Sequence, residues 1–585
     1  MIKIIIKNIQ FIIVSILLSI PGFLYSQNTN YGIEISKAAA GGLLISNVTV
    51  QINNDSILSA EYKTRSDEIK KTFAVGAGST FEINVFDLAI SNVRKLDFIS
   101  KAEYKLYSSG FSDNITVIIN ADLITKDQKK KNESKGIFVK GKGLEDFPVL
   151  IENNYSKLSL ILTGGAGVFN DIDAFFGHGE IFTKGSPIAK TPAGPGNSTW
   201  GEGYLELGIG GLIQLGSQPV YPYFGVSGLM TGATGQDLYT SQTRGFTDFE
   251  KAYLGIIYEN SKKGFVANLS AGRQNFLLND GLLFSRYSGS ANAGKRASLF
   301  LSARTTFEKT VMLNLKYNKF TLEGDFLEPE ELDFSPSNTQ YLLGSIGYNN
   351  NSTVNAGFSY INIVSSDSKY ANVNNINMTK EGLYAYNPKL WLSTSKKNYN
   401  INLRGEYVYE GNRNFEMGAY AFYATAGYQF NNVKFSPKIS YRYSYMSGDD
   451  SATVRYERFD PMLTGGLGNW IQGLNFRKVI GTGNIAAHRV QLDLYPKSDM
   501  LLSIDYFYLL APQLFNLGGL PPLSRLPDNI YGQELTFTYK YYISNKYTLL
   551  SVISTAFPGN AIKQSFNTPS DPWTTLQIAF FVHIL

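Results

Sequence analysis

An alternation of apolar and polar residues with a period of two runs through most of the chain, from about Tyr155 to the end. In the segment 311–317, Val311, Leu313 and Tyr317 occupy odd positions, whereas the polar Asn314 and Lys316 occupy even ones. Successive side chains of a β-strand point to opposite faces, so this pattern predicts strands that each have one apolar and one polar face. Such segments recur between clusters of Asn, Asp, Gly, Ser and Lys. The region is therefore expected to be all-β.

Alternation alone fits both a soluble sandwich and a membrane β-barrel, but three further features favour the barrel. Apolar faces often end in aromatic residues, as at Tyr441, Tyr443 and Tyr445, which suits an interfacial girdle. Short connections such as 349–352 and 395–397 alternate with long polar ones such as 365–380 and 512–529. The chain also ends on an alternating strand, 573–585, which could pair with the first strand and so remove the open edge.

Size and composition narrow the architecture further. A strand with half of its flanking loops takes roughly 24 residues, so the stretch 151–585 predicts a transmembrane antiparallel barrel of about 18 strands. A barrel of that size leaves an aqueous interior unless loops fill it. Aromatic residues make up 14% of the chain, an excess that lipid-facing and interfacial positions would use. The chain has no cysteine, which excludes disulfides, zinc–thiolate sites and cysteine nucleophiles.

The N-terminal part of the chain has a different character. Residues 1–26 combine Lys3 and Lys7 with an apolar stretch and the small residue Ser26, the plan of a secretory signal peptide cleaved near Ser26. Residues 27–135 are expected to form a small soluble periplasmic β domain, with strands such as 48–52, 81–85 and 115–119, followed by a basic linker at 126–135. The alternative is that this region supplies the first strands of the barrel.

The polar faces supply candidate pore-lining residues of both charge signs. These are Arg304, Lys316, Glu323, Asp325, Arg404, Glu406, Lys438, Arg442, Arg489, Asp493, Asp505, Glu534 and Lys540. The near balance of the two signs argues against a strongly anion-selective channel. A net charge of only +5 over 585 residues also argues against nucleic acid as a partner. The expected partners are outer-membrane lipid and polar or anionic solutes or polysaccharide, and no cofactor is expected.

Several motifs resemble the alginate-export family of outer-membrane porins. The segment 435–470 carries Tyr441-Arg442-Tyr443, then Asp449-Asp450 and Phe459-Asp460-Pro461, and 264–276 closes on Gly272-Arg273-Gln274. The resemblance implies an eighteen-stranded barrel whose members export anionic polysaccharide or admit small solutes. It also implies that Arg273 and Arg442 point into the pore and that Asp449, Asp450 and Phe459 order a loop. The odd–even alternation of this strand instead places Arg273 on the lipid face, unless a bulge at Gly272 redirects it.

The expected function is therefore passive passage through a porin-like channel of the bacterial outer membrane rather than catalysis. One alternative is an occluded structural or adhesive barrel that uses the N-terminal domain as a binding module. A second is a barrel enzyme in which His178, within Asp171-x-Asp173-x4-His178-x-Glu180, binds a divalent cation or serves as an acid or base.

Overall fold

The structure is a computed structural model that describes residues 32–583. Outside the description, within that range, are 42, 54–58, 75–79, 109–113, 125–148, 154, 217, 261–262, 286–291, 351–352, 372–376, 396–397, 465–469, 471, 518, 520–521 and 545. The predicted signal peptide and the basic linker at 126–135 therefore lie outside the described residues.

The N-terminal domain is a four-stranded sheet covered by helices. Its elements are β1 (Ile33–Ile35), α1 (Lys37–Ala40), β2 (Leu44–Ile52), α2 (Ser59–Phe73), α3 (Ile83–Arg94), β3 (Ile99–Ser108) and β4 (Asn114–Leu123). The strand order is β1-β3-β4-β2, and only the β2–β4 pair is parallel. The expected strand at 81–85 is wrong, because Glu82 accepts the Val85 N–H at 2.9 Å and caps α3. No helix in the described ranges is both long and apolar enough to span a membrane.

Eighteen antiparallel strands form a closed barrel, which confirms the predicted fold class and strand number. They are β6 (Ser156–Ile172), β7 (Asn197–Ile213), β8 (Val220–Gly235), β9 (Arg244–Asn260), β10 (Phe265–Asn275), β11 (Thr306–Tyr317), β12 (Phe320–Glu328), β13 (Gln340–Asn349), β14 (Val354–Ser365), β17 (Leu383–Ser395), β18 (Tyr399–Asn412), β19 (Ala419–Phe430), β20 (Lys438–Met446), β21 (Ile485–Lys497), β22 (Met500–Leu510), β23 (Ile530–Ser544), β24 (Tyr547–Pro558) and β25 (Trp573–His583). β25 pairs with β6 and closes the barrel, and the short strand β5 (Val149–Glu152) precedes β6 and also pairs with it.

The two faces of the barrel wall follow the sequence alternation. Large apolar side chains such as Leu313, Leu322, Leu403 and Ile578 are exposed on the outer surface, where a bilayer would cover them. Their strand neighbours of opposite parity face the interior. The sequence pattern therefore assigns each strand its lipid face and its inner face.

The connections are short at one end of the barrel and mostly long at the other. The short-turn end carries connections such as 318–319 and 498–499, whereas the long-loop end carries 173–196, 276–305, 366–382, 447–484 and 511–529. The hairpin strands β15 (Lys369–Ala371) and β16 (Asn377–Thr379), 3-10 turns at 174–177 and 294–296, and the one-turn helices α4 (Gly179–Phe182), α5 (Arg477–Ile480) and α6 (Asn560–Lys563) lie in these long-loop connections. In barrels of the outer membrane, short turns face the periplasm and long loops face outward.

Long connections fold into the barrel rather than away from it. Asp280 lies five residues beyond the end of β10, yet its carboxylate is 2.9 Å from the Tyr423 hydroxyl on β19, seven strands away around the wall. Phe284 from the same connection packs edge-on against Tyr341 of β13, with 5.0 Å between ring centroids. We call residues 276–305 the crossing loop, because its described residues span the lumen.

The N-terminal domain occupies the short-turn end. Its buried core is continuous with Tyr495, Leu501 and Tyr542, which flank the turns 498–499 and 545–546. Leu44 of β2 also packs against Leu277 of the crossing loop and Trp391 of β17. The domain therefore reaches into the barrel from one end and touches the crossing loop that fills it from the other.

Candidate functional site: a chamber in the barrel

A cavity of about 610 Å³ lies between the N-terminal domain and the crossing loop. The domain contributes Lys37, Leu43 and Phe81 to its wall, and the crossing loop contributes Leu277 and Phe300. The remaining wall comes from inner faces of barrel strands. This chamber has the volume typical of sites for small molecules.

The chamber wall is polar and carries charges of both signs. Its basic residues are Lys37, Lys251, Lys316, Lys389, Arg489 and Lys540, and its acidic residues are Glu82, Glu206, Glu323, Asp325 and Asp505. Some of these form direct ion pairs between strands. The Lys251 Nζ–Glu206 Oε1 distance is 2.7 Å, and the Arg489 Nη2–Asp505 Oδ1 distance is 2.6 Å. A wall with six basic and five acidic groups has almost no net charge.

A buried ion cluster fixes the N-terminal domain to the barrel beside this chamber. The Asp87 carboxylate of α3 lies 3.0 Å from the Lys37 ammonium and also contacts the ammonium of Lys157, at the start of β6. The Tyr104 hydroxyl donates to the same carboxylate at 2.8 Å. Burial alone would raise the pKa of Asp87, but the two ammonium groups outweigh it and hold that pKa well below its usual range.

Six of the thirteen sequence-predicted pore-lining residues border the chamber. They are Lys316, Glu323, Asp325, Arg489, Asp505 and Lys540. Arg404 and Lys438 also lie on the inner side of the wall and are partly buried, with the Arg404 guanidinium 5.1 Å from the centre of the Trp391 ring. Asp493 is buried 3.9 Å from Lys438, and Glu406 is buried 2.9 Å from the Tyr423 hydroxyl.

Of the seven predicted pore-lining residues that do not border the chamber, Arg304 and Glu534 take part in contacts of the long connections. Arg304 belongs to the crossing loop, is fully buried, and donates to Glu330 at 3.1 Å. Glu534 of β23 is also fully buried, and its carboxylate accepts backbone N–H groups from Leu474, Asn475 and Phe476. The alternation of the strands could not show which inward residues the connections would bind.

The family-motif residues at 272–274 sit at a β-bulge. The pairing of β10 with β11 shifts between Gly272 and Gln274, and Gly272 has a φ of 125°. A Cβ at this glycine would collide with the carbonyl oxygen of Ala252, so a residue with a side chain does not fit. The bulge turns Arg273 away from the outer surface and onto the carboxylate of Glu330. The neighbouring Gln274 borders the chamber and donates to Thr310 at 2.7 Å.

The remaining family-motif residues hold the connection 447–484. Asp449 accepts the Glu457 N–H at 2.8 Å, and Asp450 accepts the Ala452 N–H at 2.9 Å. Phe459 is buried in the hydrophobic cluster that the long connections form with the adjoining inner wall of the barrel. Arg442 on β20 is buried with its guanidinium 4.5 Å from the centre of the Trp470 ring.

His178 lies in the long-loop connection 173–196. Its ring stacks on Phe566 with 3.8 Å between centroids, and its Nε2 is 3.0 Å from the Ser570 hydroxyl oxygen. Burial lowers the pKa of His178, while nearby Asp571 partly opposes this. Among the residues that the structure describes, no group of three or more His, Asp or Glu side chains could hold a metal ion. These contacts join two connections at the long-loop end.

Sequence reasoning missed several chamber residues. Glu206 and Lys251 lie on β7 and β9, and Glu202, Tyr204 and Glu206 carry a period-two signal that could have identified the first of them. Lys389 was also missed, because Pro388 interrupts the alternation of β17. No local sequence pattern identifies Lys37 as a chamber residue, since its place in the chamber depends on where the whole N-terminal domain docks.

The barrel resembles solved porin structures of Pseudomonas aeruginosa at low sequence identity. OccK2 (OpdF) is 11% identical with a TM-score of 0.45, and the match covers 73% of this chain and 98% of OccK2. OprD is 9% identical with a TM-score of 0.43, covering 73% of this chain and 92% of OprD. None of the curated proteins compared with the chain is a significant match.

The family comparison covers most of the barrel. Residues 232–565 match the model of the family described as alginate export. This range runs from the end of β8 to the connection after β24, and it includes the bulge at Gly272 and the crossing loop. The chain therefore belongs to the alginate export family, and it is an outer-membrane β-barrel channel.

Proposed function

We propose that this protein is a gated channel for small polar solutes, including anionic ones. The observation that carries the proposal is the polar chamber of about 610 Å³ inside the barrel. A purely structural barrel has no need for such a cavity lined by eleven charged side chains, since empty cavities in protein interiors are usually apolar. Polar walls keep the chamber wet and lower the cost of moving a hydrated solute.

The elements at the two ends of the chamber support the proposal that the channel is gated. The N-terminal domain lies on one side of it and the crossing loop on the other, and both contribute to its lining. A cavity of this volume holds a small molecule but not a polysaccharide chain. Passage of a polymer would therefore require a larger displacement of the N-terminal domain, the crossing loop, or both than passage of a small solute.

The proposal is tested by recording currents of the full-length protein in planar bilayers. We expect stepwise conductance with weak ion selectivity, because basic and acidic groups nearly balance on the chamber wall. Lys540→Glu should shift the reversal potential in a salt gradient towards cation selectivity. The matched control is Lys309→Glu, since the Lys309 side chain is 63% exposed and does not border the chamber.

The alternative of an occluded structural barrel gives a different result. The filling of both ends of the lumen is the observation that favours it. A protein whose folded state is verified by heat-modifiable migration on gels, yet which shows no conductance under any applied voltage, would refute the channel proposal. A shift caused equally by Lys309→Glu would refute the assignment of Lys540 to the permeation path.

A further inference from the structure

One part of the chamber wall, formed by β11 to β17, has an unusual surface. Cross-strand pairing places one residue from each of five neighbouring strands side by side. The row is Lys316, Thr321, Gly347, Gly357 and Lys389. Lys316, Lys389 and the residues between them all border the chamber. The row thus has a lysine at each end and two glycines in its centre.

The glycines make room for the groups beside them. A Cβ at Gly347 would collide with the hydroxyl oxygen of Thr321. A Cβ at Gly357 would lie 2.9 Å from Cε and 3.5 Å from Cγ of Lys389. The aliphatic part of Lys389 therefore lies across Gly357, along the wall rather than straight into the lumen. The glycine therefore sets the direction of this lysine side chain.

Two carboxylates stand next to this row on β12. Glu323 accepts a hydrogen bond from the Asn314 side chain at 2.7 Å. Asp325 is only 7% exposed and borders the chamber, and it has no hydrogen bond or ion pair with any residue in the described part of the chain. Within the same described residues, the side chains of Lys316 and Lys389 likewise form no hydrogen bond or ion pair, although the Lys389 ammonium lies 4.8 Å from the centre of the Trp391 ring and interacts electrostatically with Glu406, Glu323 and Asp280.

Other charged residues of the chamber wall are paired directly with one another. Glu206 with Lys251 and Arg489 with Asp505 form ion pairs shorter than 3 Å on other parts of the wall. A buried charge without a partner is costly, so groups of this kind are normally paired or contact a ligand. The wall from β11 to β17 is thus the part of the chamber whose charges are arranged to accept external partners.

We propose that this wall binds a small zwitterionic solute, one that carries both a carboxylate and an ammonium group. The carboxylate contacts Lys316 or Lys389 and the ammonium contacts Asp325 with Glu323. A simple anion would leave Asp325 without a partner, and a simple cation would leave Lys316 without one. The inference names the substrate class of the proposed channel and in that respect rests on the proposed function.

The test is calorimetric titration of the full-length, detergent-folded protein with 6-aminohexanoate, hexanoate and hexylamine. These probes share a carbon chain and differ only in the charged groups they carry. We expect 6-aminohexanoate to bind at least about tenfold more tightly than either singly charged compound, because charge-assisted hydrogen bonds form at both of its ends. Equal affinity for hexanoate and 6-aminohexanoate, or no binding of any probe, would overturn the proposal.

Variants identify the groups responsible. Asp325→Asn should reduce the preference for 6-aminohexanoate over hexanoate to about twofold or less, since the negative partner is lost. Gly357→Ala should displace Lys389 and weaken both carboxylate probes while leaving hexylamine unaffected. Asp333→Asn is the matched control, because that carboxylate is exposed and lies outside the chamber. Heat-modifiable migration verifies that each variant folds.

Calorimetry separates this inference from the proposed function, because it does not require current to flow. Selective binding of 6-aminohexanoate without conductance would support the site and refute the channel. Conductance without selective binding would support the channel and refute the site. An unchanged preference for 6-aminohexanoate over hexanoate in Asp325→Asn would also refute the proposed site.

Discussion

The ion cluster around Asp87 is expected to hold the N-terminal domain in the barrel, and breaking it should release the domain. The Asp87 carboxylate contacts Lys37, Lys157 and the Tyr104 hydroxyl, and the side chains of Lys157 and Asp87 are 4% and 5% exposed. In Asp87→Asn, two buried ammonium groups lose their common counter-ion. Removing one partner of a buried ion pair typically costs about 3–5 kcal/mol.

That cost translates into a large change in the docking equilibrium. Since about 1.4 kcal/mol corresponds to a factor of ten, the undocked population should rise by roughly 10²- to 4 × 10³-fold. The chain contains no cysteine, so a single introduced thiol reports on one site without background. Ala74 is suited to this, because it is buried where the domain packs against Leu212 and Tyr221 of the barrel. We expect Asp87→Asn to accelerate maleimide labelling of Ala74→Cys and to raise the open probability of the channel.

Two further variants separate undocking from unfolding of the domain. Lys157→Met removes only the barrel partner and leaves the Lys37–Asp87 pair within the domain, so it should accelerate labelling to a smaller extent. Asp67→Asn, at an exposed carboxylate of α2, should leave the labelling rate unchanged. Equal labelling rates in the parent protein and in Asp87→Asn would refute the reasoning, and so would a rate in Asp67→Asn that matched that of Asp87→Asn.

The pH dependence of docking has a definite sign. The pKa of Asp87 lies below its ordinary value near 4 in the docked state, so its stabilising contribution is fully present above pH of about 4. It is lost only as the pH falls through the lowered value. Docking measured by the same labelling assay should therefore show no weakening from this group between neutral pH and about pH 4.

Two other predictions concern the long-loop end. Glu330→Gln should loosen the crossing loop, because this buried carboxylate pairs with both Arg273 of β10 and Arg296 of the loop. We expect the variant to be destabilised by about 3 kcal/mol and to give noisier single-channel currents. A thermal unfolding transition at the same temperature as that of the parent protein would contradict this prediction. Burial lowers the pKa of His178, so the contact of its ring with Phe566 should weaken as the pH falls from about 6.5 through that lowered value. Limited proteolysis at pH 5 and 7.5 would detect this weakening as faster cleavage at pH 5. His178→Phe should abolish the difference between the two pH values.

Local periodicity predicted the barrel because each strand carries its own pattern. The alternation in β11 or β18 is set by lipid on one side and by the interior on the other, and it needs no knowledge of distant residues. The helix at Ile83–Arg94 shows where this reasoning failed. The five residues 81–85 alternate, but such a short run does not distinguish a strand from the start of a helix, and the capping contact of Glu82 with the Val85 N–H decides for the helix.

The chamber was less predictable, because its wall depends on contacts between residues far apart in the sequence. Asp87 and Lys157 are 70 residues apart, and nothing in either local sequence identifies the other as a partner. Arg273 shows an intermediate case. Parity placed it outside, and only the bulge at Gly272, a position where a Cβ would collide with Ala252, reverses that assignment.

Contact with the connections folded into the lumen, rather than depth along the strand, separates acidic residues that anchor loops from acidic residues that border the chamber. Glu202, Glu250 and Glu534 lie five, six and four residues past the first residue of strands that begin at the long-loop end, and each accepts backbone N–H groups from a connection folded inside. Irregular backbone inside a lumen has N–H groups that no strand pairs, so carboxylates at this depth satisfy them. Glu323 and Asp325 lie five and three residues before the long-loop end of β12, at a comparable distance from that end, but within the described residues neither carboxylate accepts a backbone N–H from a connection, and both border the chamber. An inward carboxylate in such a barrel is therefore evidence for solute contact only where no backbone N–H of a connection binds it.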